Sequence, residues 1–295
     1  MVRITKPVRI GLTLGVLACV AVLLSLAAAG VFNTAVPVFQ APTVTVEYDW
    51  YYQPRTDGKQ PLPCSEPDFL KKYNDYYLGS PDEKVIYLTF DAGFENGNMP
   101  KILDTLKKHK TPAAFFLTGH YLKTQPDLIR RMVEEGHLVC NHSNHHPNMA
   151  AMTDYTKFKE ELTSVEDMFR QITGKEMPKY FRPPQGKFSE TTLKYAQEMG
   201  YTTVFWSFAY RDWLVNDQPQ PGAAISLIMQ RTHPGEIALI HATSKTNADI
   251  LDEVLTRWES MGYQLKSLDY LADNDSVRTG TGVFLPRPAE GDLLP

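Results

Sequence analysis

Val85-Ile86-Tyr87-Leu88-Thr89-Phe90-Asp91 is an apolar run closed by an acid. The run reads as a β-strand, and a carboxylate at a strand end is well placed to act as a base in a site built on an α/β scaffold. Downstream, short apolar runs alternate with amphipathic segments. Met99, Ile102, Leu103 and Leu106 mark one helix face, Ala113–Thr118 a second strand, and Leu128, Ile129, Met132 and Val133 a helix ended by Gly136. Leu138–Asn141 is a third strand, and Phe158 to Ile172 a long helix stopped at Gly174. Lys179–Arg182 is a fourth strand, followed by a helix capped by Ser189 that runs through Met199. Strands at Thr202–Trp206, Ile237–His241 and Gln264–Lys266 alternate with helices at Ile225–Arg231 and Ala248–Met261. About seven such units predict parallel strands with helices outside, in an α/β barrel, closed or partly open, whose chemistry lies at the carboxyl ends of the strands.

The remainder of the 295 residues frames this domain. Arg3, Lys6 and Arg9 precede Ile10 to Phe32, 23 residues without a charge. A cleavable signal has an apolar core of about 7–15 residues, whereas a spanning helix needs roughly 20. Residues 1–33 are therefore expected to be a retained membrane anchor, basic end inside, with cleavage near Ala27-Ala28-Ala29-Gly30 as the alternative. In either case the rest of the chain is exported, either tethered to the cell membrane or released to the wall. Residues 34–82 carry Tyr48, Trp50, Tyr51 and Tyr52 without periodicity and read as a spacer whose aromatics pack on the main domain, 83–274. The tail, 275–295, is expected to be disordered. A net charge of −4 without a lysine or arginine block gives no indication of nucleic acid as a partner. Cys19, Cys64 and Cys140 do not make a disulfide framework. Unpaired thiols are expected, a Cys64–Cys140 bridge being the alternative.

Polar residues gather at the strand ends. Asp91 follows the first strand, His142, His145 and His146 the third, and Arg182 the fourth, while Asp212 and Trp213 follow the fifth and His241 ends the sixth. His142 and His146, four apart, would put both imidazoles on one metal ion if the backbone there were helical. Each residue alone has a bland explanation, a helix cap or a surface charge. Their convergence on one rim does not.

Thr89-Phe90-Asp91-Ala92-Gly93, His142-Ser143-Asn144-His145-His146, Arg182-Pro183-Pro184-Gln185-Gly186, Asp212-Trp213 and Leu239-Ile240-His241 occur in the order of the motifs of the polysaccharide deacetylase family (carbohydrate esterase family 4, the NodB homology domain), which this chain resembles over about residues 83–272. Asp91 to Gly97, Phe181 to Glu190 and Thr203 to Phe208 look most like its delta-lactam-biosynthetic branch, which deacetylates N-acetylmuramic acid in peptidoglycan, notably of the spore cortex. The resemblance implies a distorted (β/α) barrel and a metal-dependent hydrolase of linear amides acting on peptidoglycan glycan strands. It implies that His142 and His146 hold a divalent metal, with Asp91 as the base toward water. The Gln185 amide would donate to the oxyanion, and His241 would protonate the leaving amine, kept charged by Asp212. Arg182 would orient the aspartates, and Trp213 and Leu239 would wall the acetyl pocket. Such a site suits Zn²⁺, with Co²⁺, Mn²⁺ or Ni²⁺ as alternatives.

One position departs from the family pattern. Ala92 stands where a second aspartate supplies the third metal ligand, so weaker metal binding is expected. Glu95 is the nearest substitute donor, its other reading being a turn or helix-start acid. His145 is expected beside the site without coordinating, and His120 as a cap after the second strand. Lys187 and Arg211 are either contacts for a substrate carboxylate or solvated charges. The rival readings are a deacetylase of N-acetylglucosamine in peptidoglycan or chitin, and a catalytically silent glycan-binding domain.

Overall fold

The computed structural model describes residues 45–63 and 69–274. Four two-residue strands come first, β1 (Tyr48–Asp49), β2 (Tyr52–Gln53), β3 (Leu62–Pro63) and β4 (Asp75–Tyr76). Then β5 (Val85–Ala92) runs buried along its whole length. It is followed by α1 (Met99–His109), β6 (Ala114–Leu117), α2 (Gly119–Thr124), α3 (Pro126–Glu134), β7 (Leu138–Asn141) and α4 (Tyr155–Thr173). The second half contains β8 (Tyr180–Phe181), β9 (Lys187–Phe188), α5 (Glu190–Glu198), β10 (Thr202–Val204) and α6 (Pro221–Arg231). It closes with β11 (Glu236–His241), α7 (Lys245–Ser260), β12 (Gln264–Leu265) and α8 (Leu268–Asp273).

The main sheet runs β11-β5-β6-β7-β8-β10-β4, with β12 beside the start of β5. Its strand pairings are parallel throughout. Two isolated bridges reach β11 from the far side, Leu78 to Glu236 beyond β4 and Phe208 to Ala238 beyond β10, the latter with the Leu239 N–H donating to the Phe208 carbonyl at 2.8 Å. The sheet is therefore curled into a half-barrel whose gap is spanned by these bridges. Helix boundaries follow local chemistry. Ser189 and Thr192 form a reciprocal capping box at α5, and Gly174 ends α4 in the left-handed region, φ 71°.

The stretch that reads as a spacer takes part in the fold. β4 is a sheet strand, and β1 pairs antiparallel with β9. Trp50 is buried, stacked on Phe205 at 4.5 Å, and its indole N–H donates to the Trp206 carbonyl at 2.9 Å. Two-residue strands are too short to leave a period in sequence, so nothing local announced them. Residues 1–33, Cys64 and the tail lie outside the described residues, among which no helix is long and apolar enough to cross a membrane. Cys140 is a buried free thiol.

The outer layer offers a pH test. His109, at the end of α1, lies between Asp252 (2.8 Å) and Glu259 (2.9 Å) of α7. Burial pushes its pKa down, but the two carboxylates outweigh that and raise it above the ordinary histidine value. A raised folded pKa contributes stability in full below the unfolded value, about 6.5, and loses it as pH rises through the folded value. Thermal melts of wild type and His109→Gln should differ most below about pH 6 and converge on the alkaline side. A gap independent of pH would mean that the imidazole contributes by packing alone.

Candidate active site

Parallel pairing between β5 and β11 sets His241 directly beside Asp91. Neighbouring strands lie about 4.8 Å apart, so the two side chains emerge together at one end of the sheet. On the other side, Asn141 of β7 pairs with Phe181 of β8, so His142 and Arg182 leave their strands as neighbours too.

Arg182 is fully buried. Its guanidinium donates to Asp91 Oδ1 at 2.7 Å, to Thr89 Oγ1 at 2.9 Å, and to the carbonyls of Val204 (2.9 Å) and Phe205 (3.2 Å). Burial pushes the Asp91 carboxyl up, but the Arg182 charge and the neighbouring imidazoles prevail and hold it below the usual carboxylate range. Arg182 thus orients Asp91 alone; Asp212 is held by other donors.

His142 donates from Nδ1 to the Arg182 carbonyl at 2.8 Å, which fixes the tautomer and leaves Nε2 3.7 Å from Asp91 Oδ2. Burial brings its pKa down to about 4, so the ring is neutral at physiological pH. The His146 ring lies 4.9 Å away and is likewise lowered by burial. The helical condition for pairing these two histidines is not met, yet they still meet: Ser143 (φ 64°) and His146 (φ 57°) are both left-handed, and a turn brings the rings together. The turn is tied down by the His146 N–H donating to Ser143 Oγ (3.0 Å) and the Ser143 N–H donating to Asn141 Oδ1 (3.0 Å). Asn141 also donates to the Leu162 carbonyl and to the Tyr201 hydroxyl. Sequence reasoning passed over this residue, although a polar side chain ending an apolar strand was its signal.

His241 donates from Nδ1 to Asp212 Oδ1 at 2.7 Å, and its backbone N–H donates to Oδ2 at 2.8 Å. Burial lowers the His241 pKa, but the hydrogen bond and charge of Asp212 overcome this and raise it above the ordinary histidine value. Asn247 Nδ2 completes the shell of Asp212 at 2.5 Å, and sequence reasoning missed it as well.

Asp91, His142, His146 and His241 line one pocket of about 900 Å³, with Gln185, Leu239 and Trp213 in its wall. Gln185 sits in a left-handed turn, φ 61°, and Gly186 after it has φ 68°. A Cβ on Gly186 would come within 2.6 Å of the Trp206 ring, so the turn admits only glycine there. The Trp50 N–H grips the same turn through the Gly186 carbonyl at 2.8 Å. Trp213 is half exposed at the mouth, its ring 5.7 Å from that of His241.

The other candidates stand outside this cluster of catalytic side chains, His145 and His120 at the pocket wall and the rest away from it. Glu95 accepts from the Tyr121 hydroxyl (2.7 Å) and the Gly97 and Met99 N–H groups, so it serves the start of α1 and is not free to replace the missing ligand. His145 is bound to Glu161 at 2.7 Å. Lys187 pairs with Asp49, Arg211 with Asp217, and neither lines the pocket. His120 is exposed at the pocket's edge. Among the described residues no three histidine, cysteine or carboxylate side chains converge as a complete metal cage. The donors present for an ion are two neutral imidazoles facing one pocket, one fewer than the three protein ligands usual at a catalytic zinc, so water or substrate would have to complete its shell.

Residues 79–204 match the polysaccharide deacetylase family. An uncharacterized 30.6 kDa protein of Geobacillus stearothermophilus is 49% identical, over 75% of this chain and 84% of its own length. The peptidoglycan-N-acetylmuramic acid deacetylase PdaA of Bacillus subtilis is 45% identical, over 77% of this chain and 84% of its own. The solved structure of PdaA, a family 4 carbohydrate esterase, superimposes with a TM-score of 0.74 over 77% of this chain and 97% of that one. A family 4 pseudoenzyme from Bacillus anthracis, 29% identical, gives a TM-score of 0.60 over 67% of this chain and 68% of that one.

Proposed function

This chain belongs to the polysaccharide deacetylase family and is a hydrolase of N-acetyl amide bonds, and we propose that its substrate is N-acetylmuramic acid in peptidoglycan. The observation that carries this is the pairing of Asp91 with His241 on adjacent strands beside two neutral imidazoles, in a chain similar over most of its length to a muramic acid deacetylase. Among the described residues Asp91 is the pocket's single carboxylate, and Arg182 neutralises it. The lining therefore carries no uncompensated negative charge to repel the lactyl carboxylate of muramic acid.

At neutral pH Asp91 is ionised and accepts the proton of the attacking water. Its carboxyl is held low, which makes it a weak base suited to a water that is already acidified. A divalent metal held by His142 and His146, with Zn²⁺ favoured, would supply that acidification, lowering the pKa of bound water from about 15.7 to about 7. The Gln185 amide stands at the pocket wall to donate to the oxyanion. His241, kept protonated by Asp212, gives its Nε2 proton to the leaving amine. Trp213 and Leu239 wall the acetyl group. The freed amine can then attack the lactyl carboxyl carbon, the new carbon–nitrogen bond forming as the carboxyl hydroxyl leaves with an amine proton as water, to give a lactam. The domain is proposed to work outside the cytoplasm, tethered by residues 1–33.

A second reading has one observation in its favour. Ala92 leaves the metal site a ligand short, as a silent glycan-binding domain would tolerate. The detergent-solubilised chain, given peptide-stripped peptidoglycan, is expected to release acetate, to lose that activity to a chelator and to regain it with Zn²⁺. Mass spectrometry should find the loss on muramic acid. Deacetylated glucosamine would reassign the substrate, and no acetate with any divalent metal would leave the silent reading standing.

A further inference from the structure

The pair formed by Asp212 and His241 has a third member that neither the motifs nor the mechanism above employs. Asn247 lies in the first turn of α7 and is 2% exposed. Its Nδ2 donates to Asp212 Oδ2 at 2.5 Å and to the His241 carbonyl at 3.1 Å. An ionised carboxylate only accepts, so the amide must turn its nitrogen toward Asp212 and its oxygen away. That oxygen meets the buried Tyr210 hydroxyl, which donates to it. The helix start is itself fixed: the Asn247 N–H donates to the capping Ser244 Oγ at 3.1 Å, and Ser244 Oγ donates to Gln218 Oε1 at 2.5 Å. Gln218 in turn donates to the Asp212 and Leu214 carbonyls. Tyr210, Asn247 and His241 thus form one hydrogen-bonded chain that converges on the Asp212 carboxylate, Tyr210 donating to Asn247 and both Asn247 and His241 donating to Asp212.

We propose that Asn247, oriented by Tyr210, is a positioning residue for protonation of the leaving amine. It locks the Asp212 carboxylate in the plane that holds His241 Nδ1–H, and so aims Nε2–H at the scissile nitrogen. In the step concerned, the water oxygen has bonded to the acetyl carbon and its proton has gone to Asp91. The carbon–nitrogen bond then breaks as the Nε2 proton moves to the sugar nitrogen, leaving a free amine and acetic acid, which ionises to acetate by giving its proton to solvent. The proposal rests on His241 being the acid, and the test separates the two.

The full-length chain is assayed on an N-acetylated muramyl glycan and on 4-nitrophenyl acetate, whose leaving group departs as a stable anion and needs no proton. His241→Gln is expected to lose about 10²-fold or more on the amide while sparing the ester. Asn247→Ala should lose about 10–100-fold in kcat on the amide, with KM and the ester rate nearly unchanged. Tyr210→Phe should show a smaller loss of the same kind. Low-field proton NMR adds a readout independent of turnover: the His241 Nδ1–H resonance, present in wild type, should broaden in Asn247→Ala. Equal losses on both substrates, or an unchanged amide rate together with an unchanged resonance, would overturn the role of Asn247. If His241→Gln hydrolyses the amide at the wild-type rate, the acid assignment fails and the proposal with it.

Discussion

Asp91→Asn should lower kcat for acetate release by about 10²–10⁴, the usual worth of a positioned base, with KM little changed. Asparagine keeps the size of the side chain and an oxygen to accept from Arg182, but it cannot take a proton from water. Its structural cost should stay below the about 3–5 kcal/mol expected for deleting one partner of a buried ion pair, because the Arg182 contact at 2.7 Å survives in neutral form. Kinetics and urea denaturation on the same preparation separate the two effects. Activity within threefold of wild type would remove Asp91 from the role of base.

Arg182→Met should act in the opposite proportion, with its main effect on the fold. The guanidinium ties Asp91 and Thr89 of β5 to the carbonyls of Val204 and Phe205 at the end of β10, across the interior of the half-barrel. It also lies over the Phe116 ring at 4.1 Å. Methionine fills much of the volume but leaves the Asp91 charge and both carbonyls without their donors. The expected loss is about 3–5 kcal/mol, a large part of the about 5–15 kcal/mol that separates folded from unfolded domains. Urea midpoints of Arg182→Met and Arg182→Lys provide the check. Lysine restores the charge but not the fork, so it should recover only part of the loss. A midpoint within experimental error of wild type for Arg182→Met would show that β5 and β10 do not depend on this bridge.

The strands and helices of the half-barrel were legible because burial imposes a pattern on sequence. Leu138–Cys140 and Val85 onward had to be apolar to lie inside, and the helix faces had to repeat about every 3.6 residues. The site residues were legible for another reason: Asp91, Arg182 and His241 stand at the carboxyl ends of strands. What stayed hidden depends on contacts distant in sequence. Asn247 lies six residues beyond His241 on the next helix, and only the fold shows that its amide turns back to Asp212. Trp50 holds the Gln185-Gly186 turn through pairings more than a hundred residues apart. The bend between His142 and His146 was left open because spacing alone cannot distinguish a helix from a left-handed turn.

That bend belongs to a wider set. Ser143, His146 and Gln185 hold φ of 64°, 57° and 61°, and Lys110 is the one other non-glycine residue with positive φ among the described residues. Backbone of this hand costs an L-residue about 1–2 kcal/mol, and proteins concentrate it where function demands it. Resistance to heat and chemistry are therefore opposed at His146, whose side chain the reaction uses. A lineage released from catalysis could drift toward glycine at 143, 146 and 185 and become hardier, whereas one still deacetylating its wall must keep its imidazole at 146 and remain the more fragile protein.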